Sequence, residues 1–235
     1  MSFFKDMLAV FKKREILLLE SYKEMEGVYT FLFEKPGDLI WEAGQHGLFT
    51  ITHKKIKNAT RPFSVASAPA ENVIRLTMKI NDNPSDFKQA MLELKQGMKI
   101  SMSGPVGPFN LNDNSPSLFI AGGIGITPFR SILKQIEANG NASDNPVQLL
   151  YLDSDKAYIF KNELDKIADH YSIQITYLDS KNDLYQGIDM FAQQYKNDGK
   201  YYIAGPKSMV EYISSHLRNK DVPKSNIKKD AFFGY

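Results

Sequence analysis

The sequence predicts a small antiparallel β barrel followed by an α/β domain built on a parallel sheet. Three observations carry this expectation. Short runs rich in β-branched and aromatic residues fill the first half. In the second half such runs alternate with helical stretches. The change of rhythm falls in a polar loop that contains a proline, Asn112-Asp113-Asn114-Ser115-Pro116.

The elements follow in order. Phe3, Phe4, Met7, Leu8 and Phe11 are spaced i, i+1, i+4, i+5, i+8, the apolar face of an amphipathic helix. Such a helix either packs on the body of the protein or serves as a weak membrane or partner anchor. Strand runs are expected at residues 16–20, 28–34, 47–52, 63–66, 73–80 and 99–103, which makes a six-stranded barrel. Turn formers such as Lys35-Pro36-Gly37-Asp38 and residues 81–84 separate them. One helix is expected at residues 85–94, with Ser85 as its N-cap. Beyond the polar loop, strands are expected at 117–121, 147–152, 173–178 and 200–204. Helices are expected at 128–138, 160–171, 188–195 and 208–218. The two domains are read as residues 1–113 and 114–235.

Composition narrows the chemistry. With 43% hydrophobic and 24% charged residues, the 235-residue chain has an ordinary globular composition. A formal charge of +2 is too mild for a nucleic-acid binder. The runs Lys12-Lys13, Lys54-Lys55 and Lys228-Lys229 read as solvated faces rather than a docking patch. The absence of cysteine removes disulfides, a cysteine-ligated iron–sulfur cluster and a cysteine nucleophile. His46, His53, His170 and His216 lack metal-ligand spacing, so no metal site is expected. Any redox chemistry then falls to an organic cofactor. No apolar run reaches the length of a transmembrane helix, and no signal peptide is apparent, so a cytoplasmic location is the default expectation.

Two segments carry chemistry. Gly122, Gly123, Ile124, Gly125, Ile126, Thr127 and Pro128 join an apolar strand to a helix. Glycines let a pyrophosphate approach the backbone, and the helix start offers free N–H groups and partial positive charge. Pro128 suits a first turn, where no N–H is needed. The segment is not a G-x-G-x-x-G fingerprint, and a glycine-rich turn without a ligand is its plain alternative. Arg61, Pro62, Phe63 and Ser64 place a guanidinium and an aromatic ring on one strand face, with Ser64 on the other. Such a pair suits a phosphate and a flat ring. Taken alone, it is a weak motif, and an edge arginine beside a core phenylalanine is its commoner meaning.

Together these segments make the chain resemble the ferredoxin–NADP(+) reductase family, in a stand-alone form, from about residue 14 to the end. The family's R-x-[YF]-[ST] motif is matched by Arg61-Pro62-Phe63-Ser64, and its G-Q-aromatic strand by Gly44-Gln45-His46. Gly104-Pro105-Val106-Gly107-Pro108-Phe109 matches its G-P-x-G-x-F strand end. Residues 122–128 match its G-G-x-G-[IL]-[TA]-P loop, and Ala204-Gly205-Pro206-Lys207-Ser208-Met209 its [CA]-G-P-x-x-M loop. The aromatic end, Phe232-Phe233-Gly234-Tyr235, is also typical.

The resemblance implies an FAD-binding barrel and an NAD(P)-binding domain, with hydride passing from NADH or NADPH to FAD. By resemblance, Arg61 grips FAD phosphates, Phe63 lies against the isoalloxazine and Ser64 bonds near flavin N5. Gln45, His46 and Pro62 belong to the same site. Met78, Lys79 and Ile80, with Ser85, Asp86 and Phe87, hold the rest of FAD. The 122–128 loop takes the nicotinamide nucleotide, with Thr127 near the nicotinamide, and Gly205, Pro206 and Met209 line the cleft. Phe232 or Phe233 covers the flavin. Ser64 and Thr127 are the residues expected nearest the reaction.

Departures qualify this. His46 replaces an aromatic and either stacks or is solvated. Ala204 replaces a frequent cysteine. The loop 152–156 lacks the arginine that many members use for the NADPH 2′-phosphate, which tilts the expectation towards NADH. Asp153 is suited to ribose hydroxyls, and Lys156 to a phosphate. The expected acceptor is a ferredoxin- or flavodoxin-like protein or another one-electron acceptor. The rivals are a flavin-binding electron-transfer or regulatory subunit of a larger complex, and a nucleotide-binding module without flavin.

Overall fold

The computed structural model describes residues 12–111, 115–140 and 146–232. The amphipathic segment at residues 3–11 lies outside the described residues. The chain divides into two compact units, Met1–Asn110 and Leu111–Tyr235.

The first unit contains β1 (Lys13–Met25), β2 (Val28–Glu34), β3 (His46–Thr50), β4 (Thr60–Ser64), β5 (Val73–Lys79) and β6 (Lys99–Val106). They pair antiparallel in the order β4-β3-β6-β1-β2-β5. The two terminal strands meet just beyond β4. Ala66 N–H donates to the Arg75 carbonyl at 2.9 Å. The Ser67 hydroxyl donates to the Val73 carbonyl and accepts from the Arg75 N–H. The sheet thereby curls on itself as a barrel, which hides its edges.

Alternation along the strands decides what fills the barrel. Phe31 and Phe33 lie opposite Leu76 and Ile74, and all four are buried with Phe49, Ile100 and Met102. Each such side chain contributes about 1.5–3 kcal/mol on burial. The helix α1 (Asp86–Leu92) adds Phe87, Ala90 and Met91 to the same core. β1 is longer than the run at residues 16–20 predicts. It serves two partners, β6 through residues 13–17 and β2 through residues 18–25. Its second half is polar, so pairing rather than composition makes it a strand.

The second unit contains β7 (Ser117–Gly122), β8 (Val147–Leu152), β9 (Ile173–Leu178), β10 (Lys200–Pro206) and β11 (Ile227–Phe232). They are all parallel, in the order β11-β10-β7-β8-β9. Among the described residues four α-helices accompany it: α2 (Ile126–Asn139), α3 (Lys161–His170), α4 (Lys181–Tyr195) and α5 (Lys207–Asn219). β7 is buried along its whole length, as a central parallel strand must be.

Two elements depart from expectation. α4 starts at Lys181 rather than at Ile188, about two turns earlier. Gly187 reads as a breaker in sequence, but here it is a contact. A Cβ at Gly187 would stand 2.9 Å from Leu150 Cδ1, so the helix approaches the sheet closely there. The Ser180 hydroxyl caps this helix by accepting from the Asn182 N–H. β11 has no counterpart among the expected strands. Its Lys228-Lys229-Asp230 stretch has no strand signature, yet Tyr201 to Pro206 pair with Ile227 to Phe232 in register. Charged side chains suit a strand at the end of a sheet.

Candidate functional site

In the second unit the chain passes from β7 to β8 on one side and places β10 on the other. That reversal opens a crevice at the carboxyl ends of β7 and β10, where ligands of such sheets bind. The expected glycines meet there. A Cβ on Gly125 would stand 2.2 Å from Ala204 O and 2.8 Å from Gly205 Cα. One on Gly122 would stand 2.3 Å from Met209 Sδ, and one on Gly205 3.2 Å from Gly122 O. Packing within the protein therefore accounts for these three. Gly123 differs. Its φ is +53°, a conformation glycine adopts cheaply. The nearest atom a Cβ would meet is Asp153 Oδ2, at 3.8 Å. Backbone in that conformation is left accessible beside a carboxylate.

The turn Gly123–Gly125 leads directly into α2. The fourteen residues of α2 direct a partial positive charge at this loop. Ile124 and Ile126 are buried and fix the turn from below. Pro128 stands in the first turn, as expected. Thr127 is buried, and its hydroxyl donates to the Ile124 carbonyl at 3.1 Å. Its proton thus braces the turn. Pro206 is the N-cap of α5 and Met209 lies on its first turn. Phe232 ends β11 as the partner of Pro206. Phe233 lies outside the described residues.

Asp153 follows β8. Its Oδ1 accepts from the N–H groups of Asp155 and Ala157, at 3.0 and 3.1 Å, while Oδ2 faces Gly123. Lys156 Nζ lies 2.8 Å from Asp179 Oδ2. Two features here escape sequence reasoning. Arg130 is 1% exposed. It binds Glu163 through Nε and Nη2, at 2.9 and 2.6 Å, and lies 5.3 Å from the centre of the Phe160 ring. The second is a cluster of Tyr151, Tyr158 and Tyr177, whose rings lie 4.9 to 6.2 Å apart. Burial pushes the Tyr151 and Tyr177 hydroxyls upward, so both stay protonated. The Tyr177 hydroxyl donates to Asp165 at 2.6 Å. Residues far apart in sequence form both groups, and only the parallel sheet brings them together.

In the first unit, β4 is terminal in the sheet, and Arg61 and Phe63 share its half-buried face. Pro62 points away and is exposed, while Ser64 is buried beyond it. The Arg61 guanidinium donates to the Thr60 carbonyl at 3.2 Å and has no ion pair among the described residues. Phe63 stacks on Phe87, with ring centres 5.4 Å apart. The structure therefore brings together two residues read from separate motifs. One face of Phe63 is also already covered. Ser64 pairs with His46 across the ladder. The His46 ring lies over Gly107, where a Cβ would stand 3.0 Å from Nδ1. The Gln45 amide is committed to backbone, accepting from Glu42 N–H and donating to Gly107 O. It shapes the site rather than facing it. Met78 and Ile80 are buried in the barrel core and Lys79 is exposed. The Ser85 hydroxyl accepts from the Lys88 N–H as the cap of α1.

Residues 119–215 match the oxidoreductase NAD-binding domain family. The ferredoxin–NADP+ reductase of Plasmodium falciparum superposes with a TM-score of 0.81, covering 94% of this chain and 96% of that one at 20% identity. The chain has the two-part fold of that reductase. Two further proteins are similar to this chain. The flavohem-like FAD/NAD-binding domain of a Vibrio cholerae nitric oxide dioxygenase has a TM-score of 0.73 at 22% identity, covering 93% of this chain and 98% of that one. Flavohemoprotein A of Dictyostelium discoideum is 25% identical over 93% of this chain and 60% of its own length. The chain spans 54% to 60% of the first three curated relatives it matches.

Proposed function

We propose that this chain is an NAD(P)H-dependent flavoprotein reductase of the ferredoxin–NADP(+) reductase-like family. Reducing equivalents enter from NADH or NADPH, pass to FAD, and leave to a ferredoxin- or flavodoxin-like protein or another one-electron acceptor. One observation carries the reading. The same chain holds a glycine crevice at the β7/β10 reversal and, on a terminal barrel strand, an arginine beside an aromatic ring, its guanidinium without an ion pair among the described residues.

Residues 1–113 are assigned to the flavin and residues 114–235 to the nicotinamide nucleotide. The barrel residues suit FAD. Arg61 offers a charge suited to bidentate phosphate bonding. Phe63, backed by Phe87, offers one remaining ring face. Ser64 and His46 lie side by side at the end of β3 and β4. When bound, FAD supplies an acceptor for a hydride and a donor of single electrons. The protein's part is positioning, which converts an encounter into an oriented contact. In the crevice Gly123 admits the pyrophosphate to the backbone, and α2 stabilises its charge. Thr127 holds that turn in shape, and Pro206, Met209 and Phe232 form the far wall.

A second reading is an electron-transfer subunit of a larger complex. It draws on two relatives of this chain. One is named as the electron transfer component of toluate 1,2-dioxygenase in Pseudomonas putida, the other as one subunit of a Na(+)-translocating NADH-quinone reductase in Pseudoalteromonas atlantica. One experiment tests both readings. The purified chain is expected to show a flavin absorption band that NADH or NADPH bleaches without oxygen. Turnover with a free one-electron acceptor favours the reductase. Bleaching without turnover favours the electron-transfer subunit. A colourless protein that FAD does not reconstitute rejects both.

A further inference from the structure

We infer that the Lys156–Asp179 ion pair sets the coenzyme selectivity of the crevice, favouring NADH over NADPH by withholding the cation that a 2′-phosphate would need. The inference rests on the nucleotide reading above. The two coenzymes differ only in a phosphate on the adenosine ribose. In sheets of this topology an acidic residue about twenty positions beyond the glycine turn takes the ribose hydroxyls of NAD, and a nearby arginine accommodates the 2′-phosphate of NADP.

Here that ground is acidic. Asp153 is the first residue after β8, and its N–H donates to the Leu178 carbonyl at 2.9 Å. That bond ties the end of β8 to the end of β9, where Asp179 follows. Asp153 Oδ2 looks towards Gly123, while Oδ1 is held by the turn. Lys156 is the single cation of residues 153–160. It adopts φ +57°, and its ammonium is taken by Asp179 at 2.8 Å. The pairing holds Lys156 above and Asp179 below their ordinary titration ranges, so both carry charge at neutral pH. Asp153, Asp155 and Asp179 thus oppose one lysine. The next cation in sequence, Lys161, opens α3 and is paired with Asp165 at 2.6 Å. An incoming 2′-phosphate must displace Asp179 from Lys156 while lying near Asp153. Ribose hydroxyls instead donate to a carboxylate. Both partners of the ion pair reach solvent, at 69% and 43% side-chain exposure, so the bias is modest, about fivefold.

The test uses ADP-ribose and its 2′-phosphorylated form, which differ only in the discriminating group. Each is titrated calorimetrically into the full chain supplied with FAD. The native chain is expected to bind ADP-ribose more tightly. Asp179→Asn is expected to shift the affinity ratio about fivefold towards the phosphorylated form. Adding Lys156→Ala to Asp179→Asn should abolish that gain. A native preference for the phosphorylated form, or an unmoved ratio in Asp179→Asn, overturns this inference and leaves the nucleotide reading standing. Failure of the native chain to bind either compound overturns both.

Discussion

Gly123 and Gly125 stand two residues apart, yet substitution should act on them differently. At Gly125 a methyl group meets the Ala204 carbonyl at 2.2 Å, and backbone cannot step aside. Gly125→Ala is expected to cost about 1–3 kcal/mol or more, seen as a clear fall in melting temperature. Gly123→Ala meets no close atom but must hold a left-handed backbone, at about 1–2 kcal/mol. Its larger effect is expected on nucleotide affinity, measured by titration. Gly37→Ala, with nothing within 4 Å, is the control and should leave stability within about 0.5 kcal/mol. In the barrel, Arg61→Gln should weaken FAD binding about ten- to hundredfold, since a hydrogen bond to a charged group contributes about 1.5–3 kcal/mol. Melting of the flavin-free protein should not move. Flavin fluorescence titration reads the first quantity and calorimetry the second. Asp38 supplies a pH signature. Hydrogen bonds from Lys12 and Arg14 hold its carboxyl down at about 2. A depressed carboxylate favours the folded state above its ordinary range near 4 and loses that contribution as pH falls towards 2. The Asp38 carboxyl resonance, followed by NMR, should titrate accordingly, and a midpoint near 4 would contradict the pairing.

Among the elements, α2 and α3 are joined by a contact that neither announces alone. Arg130 is buried, and Glu163 meets it with two hydrogen bonds. Removing one partner takes two charged hydrogen bonds from the other, at about 3–5 kcal/mol. Replacing both with apolar groups costs less. Glu163→Leu is therefore expected to destabilise strongly, and Arg130→Met with Glu163→Leu to recover much of the loss. Denaturant unfolding of the two single variants and the double variant measures the coupling. The elements also show where sequence patterns stop being informative. β7 and β8 are legible because strands buried on both faces are continuously apolar. The first two turns of α4 are not, because Gly187 and a polar run mask a helix that the close approach to Leu150 positions. β11 is a strand because β10 offers it a ladder, and nothing in Lys228-Lys229-Asp230 asks for one.

For the whole molecule, the order of architectures, an antiparallel barrel and then a parallel α/β unit, is what composition and rhythm predict. The end of the chain carries its own test. Phe232 is the last pair of the β10–β11 ladder, beside Pro206, and so borders the nucleotide crevice. Deleting residues 232–235 is expected to change the KM or kcat for NADH or NADPH while FAD stays bound. Unchanged steady-state kinetics with both coenzymes would remove the tail from the site.

The sequence by itself determined the two-part fold class, the glycine loop and the Arg61–Ser64 motif, because strand alternation, helix periodicity and glycine placement are local properties. It also supplied the family resemblance, since ordered motifs survive where overall identity is low. Only the tertiary structure decided which glycines answer to internal packing and which leave backbone open. It alone showed that Thr127 and Gln45 spend their polar groups on the scaffold, that Phe63 already has Phe87 on one face, and that Lys156 is held by Asp179. Those facts depend on contacts between strands and helices distant in sequence, and no local pattern encodes a partner that the fold brings from another strand.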